Sequence, residues 1–79
     1  MKEKVFRQEE IIAATRNRIG EIVKTAEGNN QGLARVHAER VYIGLVFLNE
    51  IGLIGFDKKL ELQGELGHTV EPFGIRVHY

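Results

Sequence analysis

The sequence predicts an α+β fold, a two-helix antiparallel hairpin followed by a C-terminal β-hairpin and completed by homo-oligomerisation. Three observations carry that prediction. Apolar residues recur at helical spacing in the first half of the chain, two glycines and two asparagines interrupt them at residues 27–32, and after Phe56 the period drops to two.

The first helix is expected over residues 4–26. Val5, Ile12, Ile19 and Ala26 fall seven apart, with Ile22 and Val23 beside them, which lines one helical stripe. Glu3 and Arg7 stand four apart with the acid first, an arrangement worth about 0.2–0.5 kcal/mol. Gln8 and Thr15 interrupt the stripe, so a long coiled coil does not follow.

The segment Glu27, Gly28, Asn29, Asn30, Gln31, Gly32 is rich in residues that accept left-handed backbone and end helices. Gly28 is expected to stop the first helix, and Asn29 or Asn30 to cap a second by accepting a bond from an early backbone N–H. The result is a short helical hairpin.

The second helix is expected over residues 31–51, with Leu33, Val36, Val41, Leu48 and Ile51 on a face that also carries Gly44. Arg35 and Glu39 face solvent four apart. From Val41 to Leu48 the sequence VYIGLVFL has no polar side at all, and a helix apolar on every side is expected to be buried on every side. Its β-branched and aromatic residues also suit a strand. The stop signal decides for helix: Gly52 can take the left-handed position, with Leu53 folding back as in a Schellman cap.

Beyond Phe56, Leu60, Leu62, Gly64 and Leu66 alternate with Lys59, Glu61, Gln63 and Glu65, and Ile75, Val77 and Tyr79 alternate with Arg76 and His78. The pattern predicts two strands joined by residues 67–74, which hold the only proline. A two-stranded ribbon is marginal in water, so these strands are expected to pack on the helices and to pair with a second copy.

A chain of 79 residues has room for one domain, residues 1–79. At that size stability is about 4–12 kcal/mol, and self-association is a common reinforcement. The absence of cysteine excludes disulfides, thiolate zinc sites and cysteine nucleophiles. Eleven basic and eleven acidic residues cancel, so no broad field draws nucleic acid or anionic membrane. No stretch spans a bilayer and the N-terminus lacks an export signal, so the protein is expected in the cytoplasm.

Chemistry-bearing residues are few. His37, His68 and His78, with Glu71, are the transition-metal candidates, but their spacing matches no metal motif, and neither metal nor cofactor is expected. Residues 28–32 open a helix with Arg35 one turn on, an outline of an anion site that lacks the preceding strand and the lysine of a phosphate loop. Arg35, Arg40, Arg76 and His78, with Tyr42 and Tyr79 as aromatic faces, form the candidate ligand set for a phosphorylated small molecule. The element order also resembles a truncated winged helix, although the second helix is too apolar to enter a DNA groove and the chain is neutral. No serine occurs, and Thr15, Thr25 and Thr69 have no base beside them, so no catalytic residue is assigned.

The function read from this balance is a small homo-oligomeric interaction module, an adaptor or inhibitor of another macromolecule, with Val41, Ile43, Leu45, Phe47 and Leu48 as its interface. Its alternatives are an oligomeric binder of a small anionic or nucleotide-like ligand at a subunit interface, and a winged-helix-like DNA binder.

Overall fold

The computed structural model describes residues 7–77. These form three helices that all touch one another, α1 (Gln8–Glu27), α2 (Gln31–Glu50) and α3 (Phe56–Val70), followed by a 3-10 turn at Glu71–Phe73.

Helix α1 buries Thr15, Ile19, Ile22 and Ala26, a four-three-four spacing that keeps one face inward. Thr15 does not break the stripe, because its hydroxyl donates to the Ile11 carbonyl oxygen at 2.8 Å and enters the interior satisfied. The helix stops at Gly28, its C-cap, as expected, but the left-handed residue is the next one: Asn29 has φ 65° whereas Gly28 stays at −79°. The N–H groups of Asn29 and Asn30 donate to the Ala26 and Thr25 carbonyls, the two bonds of a Schellman motif. Asn30 then accepts from the Leu33 N–H at 3.4 Å and caps α2. With so short a link, α1 and α2 form the expected antiparallel hairpin.

Helix α2 follows the expected span but turns a different face inward. Ala34, Ala38 and Leu45 are its buried residues, whereas Leu33, Val36 and Ile51, assigned to the inner face from sequence, are exposed. Ala26 of α1 meets the same core cluster as Ala34 and Ala38, and side chains that small let the two helices approach closely. The stop occurs as expected: Gly52 has φ 81°, and the N–H groups of Gly52 and Leu53 donate to the Asn49 and Leu48 carbonyls at 3.1 and 2.9 Å.

The predicted β-hairpin is not formed, so the fold is all-helical and the α+β assignment is corrected: no strand occurs among the described residues, and Leu60, Leu62 and Leu66 lie on α3. Leucines at 62 and 66, with Val70, are four apart as well as an even number apart, and only the helical reading buries all three while leaving Leu60 out. The neighbouring residues favour helix, because Asp57, Lys58, Lys59, Glu61, Gln63 and Glu65 are unbranched or suit a first turn, and only Thr69 and Val70 are β-branched. Asp57 sits in the first turn, where the helix dipole favours an acid, and Lys58 bonds Glu61 at 2.9 Å. After the 3-10 turn, Gly74 at φ 74° reverses the chain and Ile75 enters the core alone. Of the other expected strand, residues 75–77 are irregular, while His78 and Tyr79 lie outside the described residues.

Two apolar clusters fill the interior. One joins Ile19, Ile22, Ala26, Ala34, Ala38, Leu66, Val70 and Ile75; the other joins Leu45, Ile54 and Leu62. Polar links tie the helices at their edges. Arg16 makes a two-pronged bond to Glu65 at 3.1 and 2.9 Å, joining α1 to α3, and the Gln8 side-chain oxygen accepts from the Gly55 N–H at 2.9 Å. The Arg16 bond holds the Glu65 carboxyl below its ordinary pKa, although both side chains are largely solvated.

Candidate interaction surface

The all-apolar half of α2 is only half covered. Leu45 points into the core, and with about 100° per residue Val36 lies diametrically opposite, flanked by Ile43 and Phe47 about 160° to either side of Leu45. Ile43 and Phe47 are 56% and 57% exposed. Ile51 and Leu33 extend the row along the helix, and Leu53, Phe56 and Leu60 add exposed apolar surface from the following loop and α3. The Lys59 ammonium stands 4.5 Å from the centre of the Phe56 ring, a cation–π contact over one of its faces.

Of the interface residues read from sequence, Ile43 and Phe47 stand on this outer face. Leu45 is buried at 1% exposure, and Val41 and Leu48 are half-buried against the core. Leu45 is a core residue, and Val41 and Leu48 flank it at the edge of the buried face. The outer row contains Val36 and Ile51 in their place, and the buried alanines at 34 and 38 were the signal that could have set the phase.

On one flank of the row a groove of about 640 Å³ opens between α1 and α2. Ile11, Ala14, Val41 and Gly44 line it, with Glu10, Arg18, Glu21, His37 and Arg40 among its charged and polar lining. A Cβ added at Gly44 would meet nothing within 4 Å, so the groove is shallow and open there.

The candidate ligand set does not gather in one place. Arg35 is engaged with Glu39 at 3.4 Å, Tyr42 packs against the core, and Arg40 lies about 160° around α2 from Tyr42. Arg76 is exposed beyond the 3-10 turn, and His78 and Tyr79 lie outside the described residues. Among the described residues no three metal-ligating side chains cluster, and no helix is long and apolar enough to cross a membrane. The anion-site outline at residues 28–32 is an interhelical turn whose N–H groups at Asn29 and Asn30 are spent on α1 carbonyls.

Two charged residues at the edges of the apolar row stand apart from these pairs. Arg40 and Glu50 make no hydrogen bond or ion pair among the described residues. Glu50 closes α2, where the exposed carbonyls of the helix end disfavour a negative charge, and the last turn holds no basic residue. No protein family, curated protein or solved structure matches the chain.

Proposed function

We propose that this protein is a small helical interaction module that works as a homo-oligomer, with the outer face of α2 as its self-association surface. The observation that carries the reading is the exposed apolar row Val36, Ile43, Phe47 and Ile51, directly opposite the buried face of the same helix. Soluble monomers seldom expose contiguous apolar patches of more than a few hundred Å² unless a partner covers them. Three helices leave this one unpartnered, and a chain this small gains stability by association.

The test is sedimentation equilibrium of the wild type and of Phe47→Ser over a micromolar to millimolar range. Burying the exposed half of one phenylalanine is worth about 1–1.5 kcal/mol, and a symmetric dimer contains two, so the variant should bind itself about 30- to 150-fold more weakly. A wild type that stays monomeric throughout overturns the proposal.

A further inference from the structure

We infer that the groove between α1 and α2 binds a small acyl monocarboxylate, with its head between Arg18 and Arg40 and its tail over Ala14 and Gly44. The site lies within one chain and is independent of the self-association reading. Helices α1 and α2 run antiparallel from a three-residue link, so residues equally far from that link face each other. Arg18 stands nine residues before the end of α1 and Arg40 nine after the start of α2, each about 13.5 Å along its helix from the turn. Both line the groove. Neither guanidinium makes a hydrogen bond or ion pair among the described residues, although Glu21 is only three residues from Arg18. Two cations at one level, neither neutralised, suit a carboxylate, which accepts charge-assisted bonds on both oxygens.

Farther from the turn the groove becomes apolar. Ala14 and Gly44 face each other at thirteen residues from their helix ends, and a Cβ added at Gly44 would meet nothing within 4 Å. Side chains this small leave room above Leu45, and Ile11 and Leu48 continue the apolar walls about one turn on. From the arginines to that last pair the helices rise about 10–12 Å. An extended chain advances about 1.2 Å per bond, so this length takes a tail of roughly eight to ten carbons. The groove volume of about 640 Å³ lies within the range of small-molecule sites. Its two acids set the orientation. Glu21 faces His37 one turn nearer the link and Glu10 stands just beyond Ile11, so a carboxylate is repelled at either end and favoured only at the arginine level.

NMR titration with octanoate, at a protein concentration where the chain is monomeric, tests the site. Octanoate should saturate with a dissociation constant below about 1 mM, shifting Ala14, Gly44 and Leu48. Acetate lacks the tail and 1-octanol the charge, and each should bind about tenfold more weakly or worse. Arg18→Gln and Arg40→Gln should each weaken octanoate about fivefold or more, and Gly44→Leu, which fills the apolar section, about tenfold or more, with circular dichroism confirming each fold. Octanol binding as tightly as octanoate, or arginine variants that bind it like the wild type, overturns the headgroup site. Unchanged affinity in Gly44→Leu overturns the placement of the tail. No saturation up to several millimolar, or shifts confined to Val36, Ile43 and Phe47, overturns the proposal as a whole and leaves self-association standing.

Discussion

Replacing Leu62 by alanine should destabilise the domain by about 2–5 kcal/mol, whereas the same change at Leu60, two residues earlier, should cost far less. Leu62 is 0% exposed and sits with Leu45 and Ile54 in a small cluster, so truncation leaves a void with few neighbours to fill it. Leu60 is 50% exposed on the opposite side of α3. Against a total of about 4–12 kcal/mol, the loss at Leu62 is a large share. A mid-range loss of about 3 kcal/mol lowers the melting temperature by roughly 12–24 °C in a domain of this size. Urea unfolding of both variants, followed by circular dichroism at a concentration where the chain is monomeric, gives the two free energies. Similar losses at Leu60 and Leu62 would refute the helical phase, because only a strand puts both on the same buried face.

Other substitutions probe separate parts of the account. Gly64→Ala should stabilise the chain by about 0.5–1 kcal/mol, since it lies mid-helix with nothing within 4 Å of an added Cβ, while Gly52→Ala should destabilise it because φ there is 81°. Both are read by thermal melting. Glu65, with its pKa lowered in the fold by Arg16, contributes stability that is present above the ordinary carboxylate pKa and is lost as pH falls through the depressed value. Glu65→Gln should therefore melt below the wild type at neutral pH and match it in strong acid. Glu50→Gln should relieve the unfavourable charge at the end of α2 and raise monomer stability by about 0.3–1 kcal/mol, read by melting at a concentration where the chain is monomeric.

The helical hairpin was legible because its signals are local. Residues 27–32 hold the turn, Asn30 the cap and Gly52 the stop, and each depends on backbone preferences within a few positions. Helix α3 was not legible from alternation, because leucines at 60, 62 and 66 satisfy a period of two and two of them also satisfy a spacing of four. Gly64 and Gly67 added to the confusion, since glycine weakens a helix and marks loops. Long unbranched side chains between the leucines carried the better information. Which side of the Val41–Leu48 segment is exposed was not legible: VYIGLVFL has no polar residue to set its phase, so Leu45 and Phe47 look equivalent until Ala34 and Ala38 show which side approaches α1.

The side chains that meet across the α2 faces can be observed directly. In an equimolar mixture of isotope-labelled and unlabelled chains, isotope-filtered NMR detects only contacts between copies. The account predicts intermolecular cross-peaks from the Ile43 methyls and from the Phe47 ring. An assembly that sediments as a dimer yet shows intermolecular contacts elsewhere and none at these residues would contradict it.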